Sequence, residues 1–278
     1  MGALENIGLF ITLYIRTFTN LIKIKLWTPF LILAIFQVLG LIAALDFNVP
    51  PFKWVIHPIL SRFLPDGVFH YPQFYLALPF VYSIIDNFIL GPTIWMITLG
   101  ATVNLLIGAY LGRARSIGSS YGLAFALYGK LFLYWLILVA LQVAFVLIPT
   151  WYFTANLPES PRLELAIKLL FQFIGFGISA FLIYTIPAMV RKKTGLFQAL
   201  WRSVKLCFRN PFFSYFIVLL PAGIKLIIDL LVTNFAVWII YRYNPEVIAN
   251  LLLIQIGLGV FLNLFTYSVA TGAYEELT

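Results

Sequence analysis

The chain has 278 residues; 62% are apolar or aromatic and only 10% are charged, where an ordinary soluble domain carries about 25%. A soluble fold of this size would lack the polar residues to cover its surface. The composition therefore excludes a cytosolic enzyme, a nucleic-acid binder and a disordered chain, and predicts an all-α polytopic membrane bundle. The net charge of +8 does not argue for nucleic acid, because the basic residues stand at the ends of apolar runs, where the positive-inside rule accounts for them.

The first residues hold no evident cleavable signal: Glu5 lies near the start, and no small-residue cleavage site follows the first long apolar run. Thr12, Arg16, Asn20 and Lys23 instead line one side of a predicted amphipathic helix. A hydrocarbon layer needs about 20 apolar residues per helical span. Six runs qualify, at about 27–45, 88–111, 131–152, 165–190, 211–240 and 247–272. The segment from Asp46 to about Asn87 carries Pro50, Pro51, Pro58, Pro65 and Pro72 among many aromatics, and reads as short helices at the membrane interface. Its part from Phe74 to Ile85 is apolar enough to be a re-entrant helix instead. Pro221 and Gly223 can break the long fifth run. No connection is long enough for a soluble domain, so 1–278 reads as a single membrane domain.

Basic residues set the orientation. Arg16, Lys23 and Lys25 precede the first run, Arg113, Arg115 and Lys130 separate the second and third, and six more fall between Arg191 and Arg209. The opposite side has only Lys53, Arg62, Arg162 and Arg242. This bias predicts a cell (inner) membrane protein with both termini in the cytoplasm.

A pattern of Gly-Leu, three residues, then Leu-aromatic recurs at Gly8, Gly122 and Gly195, each time before a pair of runs. It divides the chain into units of about 5–112, 118–192 and 193–274, each an interfacial helix plus a helical hairpin, with 46–87 inserted in the first. The third copy is the clearest. Gln198, Arg202, Lys205 and Arg209 share one face, and Leu196, Phe197, Leu200, Trp201, Val204 and Phe208 form the other. Such a helix lies in the membrane plane, its basic face among headgroups. Arg202, Lys205, Arg209, Arg16 and Lys23 are therefore the candidate contacts to anionic lipid or a partner protein, membrane or cytoplasmic. The alternative is a mechanical anchor for the next span.

The run Gly195–Ser203 contains Gly195, Ala199, Leu200 and Ser203 in a G-x-x-x-A-L-x-x-S arrangement, followed by Leu206 and Asn210 before an apolar run. It resembles a motif of the membrane domain attached to some glycerophosphodiester phosphodiesterases, and of small six-helix bacterial membrane proteins. The resemblance covers about 25 residues. It implies the six-helix architecture and a prokaryotic membrane. It does not imply phosphodiesterase activity, because no hydrolase domain is present in this sequence.

Ionisable residues within spans are functional candidates by default. Lys225 and Asp229 stand at i,i+4 in the fifth run, with Asn234 further along the same helix. They form either an ion, proton or headgroup site or a neutralised pair that fixes helix register. Asn104, Gln142, Gln172, Gln255 and Asn263 each fall in a span, where interhelical hydrogen bonds explain them. Gly100, Gly108 and Gly112 make a small-residue packing stripe, and Gly175 and Gly177 a second one. Cys207 lies between Leu206 and Phe208 and reads as an apolar filler. His57 and His70, with Asp66 between them, lack helical ligand spacing, so no metal or other cofactor is implied. No catalytic motif is visible. The sequence therefore predicts a non-enzymatic accessory, scaffolding or assembly subunit that meets lipid or a partner protein. The alternatives are a permease or carrier for a lipid or small hydrophobic solute, and an intramembrane enzyme acting on lipids.

Overall fold

The computed structural model describes residues 3–46, 50, 53–54, 57–58, 61–62, 70–156 and 160–278; the side chains of 3–7, 9–10, 161 and 231–241 stand outside that description. Helix α1 (Ala3–Leu21) leads into α2 (Ile24–Leu45), and α3 follows as a 37-residue helix, Phe74–Tyr110. Next come α4 (Ile117–Ala126), α5 (Tyr128–Asn156), α6 (Pro161–Leu182) and α7 (Thr185–Lys192). The chain ends with α8 (Leu196–Arg209), α9 (Pro211–Arg242) and α10 (Val247–Leu277). The described residues contain no strand. Six helices are long and apolar enough to cross a membrane: α2, α3, α5, α6 with α7, α9 and α10. The chain is an all-α polytopic bundle.

The order of elements is a short helix followed by a hairpin, three times: α1 before α2 and α3, α4 before α5 and α6–α7, α8 before α9 and α10. The Gly-Leu pattern does not sit in equivalent places, however. Gly195 is the residue that caps the start of α8, whereas Gly8 and Gly122 lie inside α1 and α4. The motif therefore has no common register in the three short helices.

The second span also begins earlier than its apolar run. Phe74–Ile84 continues without a turn into the rest of α3 instead of folding back or ending near Asn87. At 1.5 Å per residue α3 is about 55 Å long, well beyond a hydrocarbon layer of about 30 Å. Its extra length packs against the far ends of α2 and the start of α10. There Leu41, Leu78, Val81, Leu252 and Ile256 form a small core of their own.

Proline explains most irregularities of the spans. Its ring collides with the carbonyl four residues back and supplies no N–H. Pro187 therefore conflicts with Ile183, and the fourth span breaks at Ile183–Tyr184 into α6 and α7. Pro92 lies in a π-helical stretch, Ile85–Trp95, and Pro149 follows another, Val143–Leu147. Pro29, Pro79 and Pro221 are exceptions, each inside uninterrupted helix. Helix α9 runs through Pro221 without interruption, so the break expected there is not found. In lipid, opening the helix would strip further backbone groups of partners, which costs more than the single bond proline removes.

Burial is uneven. In α3, 67% of the most apolar window is buried, against 17% in α5, so α3 is the axis of the bundle and α5 its rim. The main core lies toward the basic end, where Phe30, Leu106, Ile107, Tyr184, Met189 and Tyr274 are all packed away from the surface. Two ion pairs close that end. Arg16 of α1 meets Glu276, and Arg191 of α7 meets Glu275 at 3.0 Å, both acids lying in the last turn of α10.

Gly272 makes the tightest approach. A Cβ on it would stand 2.7 Å from both Cζ and the hydroxyl of Tyr110, and 2.9 Å from a methyl of Leu13. That contact lets α1, α3 and α10 meet, with the Tyr110 hydroxyl donating to the Ser268 carbonyl at 3.0 Å. Of the predicted glycine stripes, Gly100 packs on Leu131 and Ala124, and Gly175 on Gln142. Gly112 and Gly177 have no neighbour within contact distance. Gly112 instead ends α3 with φ at +66°, a conformation that only glycine adopts cheaply.

Candidate functional site

Helix α8 has three faces, not two. Small or compact residues Leu196, Ala199, Ser203, Leu206 and Cys207 are buried against the bundle. Phe197 (81% exposed), Trp201 (70%) and Phe208 stand out on a second face. Gln198, Lys205 and Arg209 are exposed on the third. Of the apolar face expected from periodicity, Leu196 alone is buried; Leu200 and Val204 are half-buried, and Phe197, Trp201 and Phe208 face outward, where an acyl boundary would be. Burial pushes the Cys207 thiol up despite an opposing hydrogen bond from Ser214, which suits an unreactive filler.

Ser203 has a specific task. Its hydroxyl donates to the Phe181 carbonyl at 2.6 Å and accepts from the Tyr184 N–H at 3.1 Å. Those are two of the backbone groups released where the fourth span breaks. The hydroxyl of Tyr184 shares a hydrogen bond with Ser214 at 3.0 Å, and Ser214 donates to the Asn210 carbonyl at 2.9 Å. The break is thereby stitched to α8 and to the start of α9. The serine of the G-x-x-x-A-L-x-x-S arrangement is a structural plug.

The candidate basic residues separate into two groups. Lys205 and Arg209 point outward. Arg202 is half-buried and turns its guanidinium toward the Tyr274 hydroxyl, with one terminal nitrogen wholly enclosed. Arg16 is held by Glu276, and Lys23 donates to the Asn20 side chain at 2.9 Å. Arg202 and Arg16 therefore link helices, which sequence periodicity does not reveal because their neighbours Tyr274 and Glu276 lie at the far end of the chain.

A cleft opens between the start of α2 and the end of α3. Its volume is about 230 Å³; Leu26 and Leu105 are its apolar walls, and Lys23, Lys25, Arg113 and Arg115 stand round it. Gly108 makes this geometry possible. The Arg113 N–H caps the Gly108 carbonyl at 2.8 Å, and a Cβ on Gly108 would meet the Arg113 carbonyl at 2.8 Å and the Arg115 stem at 2.9 Å. The Arg115 side chain can thus lie flat on α3 and reach Asn104. Nη1 of Arg115 donates to the Asn104 carbonyl at 3.1 Å and to its side-chain oxygen, and Asn104 in turn donates to Ser120 at 3.0 Å. Burial, and then the charges of Arg191 and Arg113, push the Arg115 guanidinium down from its usual range, while Glu275 opposes them.

The midspan candidates sit apart from this end. Lys225 is exposed, and Asp229, one turn further on, is half-buried and accepts a hydrogen bond from Gln255 of α10. Asn234 lies outside the described side chains. Gln142 donates to the Gly175 carbonyl at 3.1 Å, an interhelical bond of the expected kind. Asn263 and Gln172 are half-buried and make no hydrogen bond to a described residue. A polar contact that periodicity does not mark is Gln37 to Asp86, at 2.8 Å, between α2 and the π-helical part of α3. Compared with family models, curated proteins and solved structures, the chain matches none of them.

Proposed function

We propose that this membrane protein is an accessory or scaffolding subunit, oriented with its basic end in the cytoplasm, that holds anionic lipid against α8. The observation that supports this reading is the three-faced α8. Its exposed aromatics Phe197, Trp201 and Phe208 adjoin the exposed cations Lys205 and Arg209, the combination that seats a helix at the boundary between acyl chains and headgroups. Lys205→Gln/Arg209→Gln should weaken retention of phosphatidylglycerol by the purified protein, measured by native mass spectrometry, by roughly fivefold per residue. Arg202→Gln should leave lipid retention unchanged and lower the melting temperature, because that side chain is turned inward. Unchanged lipid retention in the double variant, together with no change in proteins captured by native pull-down, sinks the reading and leaves α8 as an anchor.

A carrier for a lipid or small hydrophobic solute is the second reading. Its support is the Asp229–Gln255 contact between two spans, a polar pairing inside an apolar bundle. Solute or lipid uptake by the same reconstituted protein, abolished by Asp229→Leu, would favour it over the scaffold.

Orientation has its own test. Cys207 is buried, so single cysteines can be added to the native chain. A cysteine at Asn156 should react with an impermeant reagent from outside, and one at Lys193 should not. Labelling at Lys193 from outside would reverse the orientation.

A further inference from the structure

We infer that the cleft between α2 and α3 binds a phosphate-bearing anion, with Lys25, Arg113 and Arg115 as its principal ligands. The inference goes beyond the proposed role of α8, which contributes nothing to the cleft lining.

Charge is the first argument. Four cations line the cleft and no acidic side chain does. The nearest acidic charge felt by Arg115 is Glu275, and Arg191 already occupies it at 3.0 Å. Arg113, Arg115 and Arg191 therefore press on one another with a single carboxylate among them. Such crowding is costly unless an anion joins it.

The second argument is pre-organisation. Both hydrogen bonds of Arg115 use Nη1, on Asn104. Nε and Nη2 keep their donors, in the fork geometry that matches phosphate oxygens. The side chain is fixed by a buried asparagine beneath it and by Gly108, where no Cβ intrudes. Little rotamer freedom remains to be lost when an anion arrives.

Size and depth are the third. At about 230 Å³ the cleft is smaller than the roughly 300–1,000 Å³ of pockets that swallow whole drug-sized ligands. It suits one headgroup. Leu26 and Leu105 belong to membrane spans, whereas Lys25 and Arg113 stand at or beyond their ends. The cleft thus joins an apolar wall to a cationic mouth at the level where lipid phosphates lie, as basic pockets between spans do elsewhere. A free phosphate would satisfy the same cations but not the apolar wall.

The test uses the full-length protein, delipidated in a non-ionic detergent. Dioctanoyl phosphatidylglycerol, dioctanoyl phosphatidylcholine and inorganic phosphate are titrated separately and followed by native mass spectrometry and thermal shift. Phosphatidylglycerol should bind at one tight site, at least tenfold better than phosphatidylcholine. Lys25→Gln/Arg113→Gln should remove that preference while the unliganded melting temperature stays put, since both side chains are exposed. Lys205→Gln/Arg209→Gln on α8 should leave the tight site intact. Phosphatidylglycerol binding far better than phosphate assigns the site to a lipid headgroup; equal affinities assign it to a free anion. No preference over phosphatidylcholine, or a preference lost with the α8 variant and kept with the cleft variant, overturns the inference.

Discussion

Gly272→Val should lower the melting temperature of the detergent-solubilised protein by about 10 °C, the largest single loss expected in the main core. A Cβ at this position meets the Tyr110 ring and Leu13 at under 3.0 Å, so the ring must leave. Its hydroxyl then releases the Ser268 carbonyl, inside a junction where Ser268 is fully buried. Overpacking costs about 1–3 kcal/mol, and a Tyr110 hydroxyl that loses its buried acceptor about 1–3 more. At about 2–4 °C per kcal/mol for a chain of this order, the sum approaches 10 °C. Gly272→Ala should do less, because alanine recovers roughly 0.8–1.0 kcal/mol of helix propensity. Gly177→Ala is the control: nothing stands within contact distance of its Cβ, so only the propensity gain remains and the melting temperature should hold or rise. A double-mutant cycle of Gly272→Ala with Tyr110→Leu should give a double variant more stable than the two losses added together. Strict additivity would mean that Tyr110 is not what the glycine accommodates.

The contrast between Gly272 and Gly177 shows what a sequence hides. Both are glycines in apolar helices, and only the packing of other elements tells them apart. The six spans were legible because each needs only its own hydropathy. The early start of α3 was not, since Phe74–Ile84 is apolar but preceded by prolines that also suit an interfacial segment. Pro187 and Pro221 both stand within apolar runs, yet one coincides with a break and the other does not. What differs is the neighbour: the break before Pro187 has Ser203 to satisfy it.

On α8 the basic stripe and the apolar stripe were both readable from spacing. The buried face was not, because Ala199 and Ser203 lie beside the apolar stripe and are small, yet they are buried while Phe197 and Trp201 are exposed. In a membrane the inner face of a helix is marked by small size, which permits close approach, and not by greater hydrophobicity. Arg16 and Arg202 read as headgroup contacts for a related reason. Their neighbours Glu276 and Tyr274 lie in the last turns of α10, and no local pattern links them. The cleft lay in plain view as Lys23, Lys25, Arg113 and Arg115, counted for orientation, but their convergence depends on Gly108 and on a fold that brings α2 to the end of α3.

Ser203→Ala should destabilise the protein by about 2–6 kcal/mol, and the loss should vanish largely when Pro187→Ala is added. The serine hydroxyl serves one carbonyl and one N–H, of Phe181 and Tyr184, in a site with no exposure. Alanine leaves both without a partner, at about 1–3 kcal/mol each. That need exists only because the fourth span is broken, and the break lies where Pro187 denies the Ile183 carbonyl its helical bond. With alanine at 187 the helix can run straight through, so Phe181 and Tyr184 recover ordinary partners within it and the hydroxyl becomes dispensable. Pro187→Ala alone should be close to neutral, because the serine can still bond its neighbours while the helix closes. The measurement is thermal unfolding of the four forms in one detergent, read as a coupling free energy. A coupling of about 2 kcal/mol or more supports the plug. If the double variant is as unstable as Ser203→Ala, the break is imposed by the packing of α8 itself and the proline only tolerates it.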